Sequence, residues 1–240
     1  MPPPRRRCAD PRENRTRRLH AALALAVAAP AFAQVGAGLT LESDHRFRGV
    51  SLNDGDPDVR LDLAWDGASG RYAGASASAV VLDRGPRRAA LTGYAGLAGR
   101  RPGATGWDLG LSATHFAGAS GYDYLEWHAG LAGERWNARL SLSPDYFGQG
   151  RRTLYAEVDA GRPLAAPWRV YAHLGALGVL GTLREADGAR VRADVRLGVA
   201  LTHPEWEVRA EFVAAGRGGA YPASDGRPRQ ALVLALSRFF

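Results

Sequence analysis

The sequence predicts an all-β fold: a transmembrane antiparallel β-barrel of about twelve strands, with both termini on the periplasmic side. Three observations carry that prediction. Apolar and polar residues alternate with period two along most of the chain after residue 34, which puts one set on each face of an extended strand. The connections between these segments alternate between long and short. Five of the six Trp fall at one end of the segments, as amphipathic rings do at a membrane interface.

The N-terminal segment is set aside first. Arg5, Arg6, Arg7, Arg12, Arg15, Arg17 and Arg18 precede an apolar run at 21–30, and Ala31-Phe32-Ala33 supplies a small-residue cleavage site. Residues 1–33 are therefore expected to be a cleaved secretory signal peptide and 34–240 the barrel. The formal charge is +7, but the leader holds seven Arg against only Asp10 and Glu13. The rest of the chain keeps 24 Arg against 22 acids, so a nucleic-acid partner loses its electrostatic support. Lys is absent throughout. The lone Cys8 lies in the leader, which leaves the exported part without a disulfide framework or a thiol nucleophile. No apolar run reaches the roughly 18 residues that a helical span needs.

Turn signals divide the remainder into segments at 35–43, 58–65, 71–82, 89–98, 106–116, 122–132, 135–143, 153–160, 168–177, 189–201, 205–214 and 229–240. In 58–65, Val59, Leu61, Leu63 and Trp65 oppose Arg60 and Asp62. In 135–143, Trp136, Ala138, Leu140 and Leu142 oppose Asn137, Arg139 and Ser141. In 168–177, Trp168, Val170, Ala172 and Leu174 oppose Arg169, Tyr171 and His173. The clearest case is 189–201, where Val191, Val195, Leu197 and Val199 oppose Arg190, Arg192, Asp194 and Arg196; 205–214 repeats it with Trp206, Val208 and Phe212 against Glu207, Arg209 and Glu211. Segments 71–82 and 89–98 carry Ala, Gly and Ser on both faces, and their facing stays open. The closing segment sets Leu232, Leu234, Leu236 and Phe240 on one face, with Arg238 near the interface.

A soluble sandwich with its apolar faces inside also explains the alternation. It does not explain the connections, of which the odd-numbered average 10 residues and the even-numbered 5.4. Long outer loops alternating with short periplasmic turns belong to a barrel. Nor does a sandwich explain Trp65, Trp107, Trp136, Trp168 and Trp206, which with Phe240 read as a periplasmic aromatic girdle; only Trp127 sits mid-strand.

On this phase the lumen receives Arg60, Arg139, Arg169, Arg190, Arg192, Arg196 and Arg209, together with Asp62, Asp108, Glu126, Glu157, Asp159, Asp194, Glu207 and Glu211. His128 and His173 join them. Arg rows facing acid rows predict a transverse field across a narrow aqueous passage for small polar solutes. The same side chains, interlocked, predict a structural or adhesive barrel with an occluded lumen instead. A turn centred between His203 and Pro204 pairs Arg196 with Glu211 and Gly198 with Arg209.

Enzymatic readings are weaker. His115 faces lipid near the outer rim beside Ser120 and Tyr122, which raises a lipid-modifying enzyme as a third reading. No nucleophile motif supports it, so no catalytic residue is expected. No His, Asp or Glu set has metal-ligand spacing, and no nucleotide fingerprint occurs, so neither metal nor cofactor is expected. Loop 43–58 concentrates Arg46 and Arg48 before Asp54, Asp56 and Asp58, a composition suited to Ca²⁺ or lipopolysaccharide phosphate.

The same stretch carries a family resemblance. Ser43-Asp44, Arg46-Phe47-Arg48-Gly49-Val50-Ser51, Asp54 and Asp56-Pro57 match the start of the TorF family of porin-like outer-membrane proteins. Further matches are Tyr72-Ala73-Gly74, Ser143-Pro144-Asp145-Tyr146-Phe147-Gly148 and Ala172-His173-Leu174-Gly175. The sequence departs from the family pattern at His45, where an aromatic is usual, and after Gly74. The resemblance implies an outer-membrane barrel with a pore role. Expected partners are outer-membrane lipid and lipopolysaccharide, small polar solutes, and the barrel-assembly machinery through the C-terminal strand.

Overall fold

The computed structural model describes residues 34–240 apart from 84, 101, 102, 104, 185–187 and 218–228. The leader expected over residues 1–33 lies outside the described residues. The strands are β1 (Gln34–Glu42), β2 (Arg46–Phe47), β3 (Val50–Ser51), β4 (Asp58–Asp66), β5 (Arg71–Val81), β6 (Arg87–Gly99) and β7 (Gly106–Phe116). There follow β8 (Tyr124–Ala132), β9 (Trp136–Ser143), β10 (Arg152–Pro163), β11 (Trp168–Leu180), β12 (Val191–His203), β13 (Trp206–Ala215) and β14 (Gln230–Phe239). Twelve of them close into an antiparallel barrel, while β2 and β3 pair separately as a small hairpin. Each barrel strand pairs with its neighbours in sequence order, and β1 closes the ring against β14 through Gly38↔Phe239 to Glu42↔Ala235.

The two faces are the reverse of a soluble protein's. Leu174 is 62% exposed and Leu232 68%, whereas Arg192 and Asp194 are 2% and 3% exposed. A sandwich packs Leu197 and Val208 inside. Here both lie on the outer face of a closed sheet, with Arg192 within it. Closure has a plain cause: in hydrocarbon each backbone N–H and C=O needs a partner, and a ring leaves no edge. Arg71, Arg87, Arg152 and Arg162 do face outward, but each stands at or next to a strand end. There the cost of a lipid-facing charge falls from about 2–4 kcal/mol at the midplane to about 0–1.

Trp65, Trp107, Trp136 and Trp168 are exposed on the outer face beside the short turns at 67–70, 100–105, 133–135 and 164–167. Trp206 flanks the two-residue turn 204–205, stacked on His203 at 5.2 Å between centroids, and Phe240 follows β14 at the same end. Trp127 is exposed mid-strand.

One detail differs from expectation, and one open point is settled. The turn after β12 centres between Pro204 and Glu205, because His203 pairs with Trp206. Gly198 therefore opposes Glu211, Ala200 opposes Arg209, and Arg196 opposes Val213, in place of the expected Arg196–Glu211 and Gly198–Arg209 pairs. Both strands move by one residue, so the inward set is unchanged. The open facing of β5 and β6 resolves as Tyr72, Ser76, Thr92 and Tyr94 inward, with Ala73, Ala75, Leu91 and Leu97 outward. Tyr72 pairs with Gly96 and Tyr94 with Gly74. A Cβ on either glycine meets the facing tyrosine ring at 2.3–2.4 Å, so each ring lies flat across a bare backbone.

Candidate functional site

The barrel interior is shaped first by the loop 43–57, which folds into it. Arg48 (φ 48) and Gly49 (φ 78) are consecutive left-handed residues at the tip of the β2–β3 hairpin, as a tight hairpin turn of two residues requires. A Cβ on Gly49 would lie 2.8 Å from the Cβ atoms of Asp194 and Ala215 on the inner wall, so only glycine fits this contact. The Arg48 guanidinium donates through one nitrogen to both Glu126 oxygens at 2.9 Å and lies 4.0 Å from the centre of the Tyr155 ring. Its carbonyl accepts from Arg192 at 3.2 Å. The loop thus reaches from β1 across to β8, β10 and β12. Within it, Asp44 accepts from Arg46 and from Ser51, each at 2.6 Å.

A second loop, 144–151, completes the filled end. Tyr146 and Phe147 are fully buried, and Phe147 packs on Tyr124, Phe116 and Phe47 at centroid distances of 4.7, 5.6 and 6.4 Å. Beyond this aromatic layer lies a cavity of about 480 Å³, lined by Arg46, Phe47 and Arg48 of the loop and by Tyr72, Tyr94, Glu126, His128, Arg139, Tyr155, Glu157, His173 and Arg196 of the wall.

The charged residues form local networks rather than opposed rows. Asp108 accepts from Arg139 at 3.3 Å and lies 3.2 Å from His128 Nε2, which is 2.8 Å from the Tyr72 hydroxyl. His173 is held at both nitrogens, Nδ1 to Asp159 at 2.8 Å and Nε2 to Asp194 at 3.1 Å, with the Tyr155 hydroxyl 3.0 Å from Nε2. Arg169 donates to Glu207 at 2.9 Å, Arg209 Nε lies 3.6 Å from Glu207, Tyr171 donates to Glu211 at 2.8 Å, and Arg60 donates to Asp62 at 3.0 Å. Glu157 stands opposite Arg139 across the β9–β10 pair, and Arg196 opposite His173 across β11–β12. Acids and bases therefore interleave around the ring, which replaces the expected transverse field by short-range pairing.

Of the seventeen charged or imidazole positions singled out for the lumen, sixteen share the inner face with Thr40, Tyr155 and Ser237; Arg190 instead precedes β12, exposed, and donates to the Val179 and Gly181 carbonyls at 3.2 and 2.8 Å. Sequence reasoning missed Arg48 as an inner residue, because a loop residue has no strand parity. It also missed Tyr155, and Tyr72 and Tyr94, whose available signal was a glycine at the facing position; the same holds for the expected inward Tyr171, where a Cβ on the facing Gly198 lies 2.3 Å from the ring.

Loop 43–58 was expected to present Asp54, Asp56 and Asp58 together. Asp54 and Asp56 are exposed, whereas Asp58 is buried at the head of β4 and accepts from the Ala79 amide at 3.2 and 3.3 Å. The three aspartates therefore do not share one exposed surface. At the rim, His115 Nδ1 lies 2.6 Å from Asp123, which also accepts the Phe116 amide at 2.8 Å. Burial raises the Asp123 carboxyl, but the amide and the ring outweigh it and hold it below the usual carboxylate range.

The geometry defines a class: a closed twelve-stranded barrel with an apolar exterior, a charged interior and a first long loop folded inside. The chain belongs to the Gcw_chp family, described as bacterial proteins of unknown function, whose family model matches residues 26–224. No curated protein matches it. Among solved structures, the barrel is similar to a KdgM porin at 10% identity and a TM-score of 0.55, covering 85% of this chain and 99% of that one. A NanC porin is similar at 11% identity, with a TM-score of 0.55 and the same coverages. These likenesses concern the fold.

Proposed function

We propose that the chain is an outer-membrane porin-like channel that passes small polar solutes and ions without catalysis. The observation that carries this reading is the inversion of faces: an apolar exterior around an enclosed, charged interior that retains a cavity of about 480 Å³. The start of β1 and the end of β14 share the end with the short turns and the Trp girdle, which favours a periplasmic position for both. The TorF resemblance, the two porin folds and the apolar exposed exterior support the membrane assignment together. Lipopolysaccharide and outer-membrane lipid are the proposed surroundings, and the barrel-assembly machinery the proposed reader of β14.

A second reading keeps the barrel but closes it. The loop held by Arg48 and Glu126 across the interior favours a structural barrel with an occluded lumen. Conductance of the refolded protein in planar bilayers separates the two. Stepwise ion currents are expected from the channel, and their absence at every voltage rejects it. A lipid-modifying role has less support: His115 has an orienting carboxylate, but among the described residues no hydroxyl is bonded to its ring.

A further inference from the structure

We propose that Glu42, His45 and Asp58 form a binding site for one first-row divalent transition-metal ion of the Zn²⁺ type, at the base of the inward loop. No ligand spacing in the sequence announces it; the fold of the loop makes it. Glu42 ends β1, Asp58 begins β4, and the two stand directly opposite each other in the β1–β4 pair. Like charges directly opposed across a strand pair repel. His45 turns back into this gap, with Nδ1 2.5 Å from a Glu42 oxygen and 3.9 Å from an Asp58 oxygen. One donor atom from each of the three lies within 4.8 Å of the other two.

The proton inventory of the site is short. Nδ1 carries at most one proton and serves Glu42, while Asp58, only 2% exposed, has the Ala79 amide and no side-chain donor within bonding distance among the described contacts. Arg60 and Arg209 also act on Glu42 electrostatically, but Arg60 donates to Asp62 and Arg209 lies against Glu207. A divalent ion at the centre of the three atoms neutralises both carboxylates and uses the imidazole as a lone-pair donor. One nitrogen and two carboxylate oxygens are the three-protein-ligand donor set that Zn²⁺ takes when water fills its fourth position. Ca²⁺ asks for about six to eight oxygens, which these residues do not supply.

The surrounding contacts hold the donors in place. The Ala79 amide bonds both Asp58 oxygens, and the His45 amide donates to Asn53 Oδ1 at 3.0 Å. Because the three residues lie at the two roots of one loop and inside it, a bound ion clips loop 43–57 shut at its base. The site does not depend on the channel reading.

Calorimetric titration of Zn²⁺ into the EDTA-stripped, folded full-length protein in detergent tests it, with protease sensitivity within 43–57 as a second readout. Saturable binding of one ion is expected, outcompeting Ca²⁺ and Mg²⁺ and protecting the loop. His45→Ala and Asp58→Asn should each weaken binding on the order of tenfold or more, whereas His115→Ala leaves it unchanged. His45 lies in a loop, so its variant keeps the barrel testable if Asp58→Asn fails to fold. Absence of saturable Zn²⁺ binding, or binding that survives His45→Ala unaltered, overturns the proposal.

Discussion

Replacing Arg48 by Ala should release the inward loop. The Arg48 and Glu126 side chains are 7% and 8% exposed, so their ion pair is buried. Removing one partner of such a pair strands the other charge and costs about 3–5 kcal/mol. The cation–π contact with Tyr155 at 4.0 Å contributes about 1 kcal/mol of its own. Taking about 4 kcal/mol in total, the docked-to-free ratio of the loop falls roughly a thousandfold. Amide exchange of the folded protein in detergent reads this directly. The Leu52 amide, bonded to the His45 carbonyl at 2.8 Å, exchanges only when the loop opens. Arg48→Ala/Glu126→Gln removes the stranded carboxylate as well and should recover part of the lost protection. Leu52 exchange in Arg48→Ala within threefold of the wild-type rate would refute the account of the loop as held by this pair.

Gly49→Ala should speed the same exchange, since a left-handed backbone and a 2.8 Å contact with Asp194 and Ala215 together cost at least about 1 kcal/mol. Tyr155→Phe should lower the temperature at which the barrel converts to its unfolded gel mobility, because Asp194 and His173 lose a shared hydroxyl worth about 1 kcal/mol. Asp123 titrates lower in the folded chain than its usual value of 3.8, so its carboxylate stabilises the fold above that pH and the contribution fades as pH falls through the folded value. The wild-type advantage over Asp123→Asn in heat-dependent mobility should therefore shrink toward zero in acid; a pH-independent difference would sink it. His115→Ala should leave the lipid A and phospholipid profiles of the host unchanged, and an altered acyl pattern would restore the enzymatic reading.

The barrel strands were legible because each had to satisfy two solvents at once. Val191 to Leu201 is unambiguous, since lipid on one side and Arg192 and Asp194 on the other leave one phase only. β5 and β6 were not, because small residues fit either face; the deciding contacts, Tyr72 over Gly96 and Tyr94 over Gly74, exist only between strands. The register after β12 slipped by one residue per strand because the turn position was read from Pro204 alone, whereas the pairing of His203 with Trp206 fixes it. Loop 43–57 was legible as a charged, turn-rich stretch but not as a lumen element. Its partners Glu126, Tyr155 and Arg192 lie in three different strands, and nothing local encodes them. The Glu42–His45–Asp58 cluster is hidden for the same reason.

The inward loop also sets an order of events. Its anchoring contacts span 78 residues to Glu126 and 144 to Arg192, so it emerges early in synthesis yet has nothing to grip until much later. Contacts of such separation form late, after the chain entropy between them has been spent. The ring must be nearly whole before the loop docks, and the assembling barrel is hollow until its first loop, made almost first, is tucked in almost last.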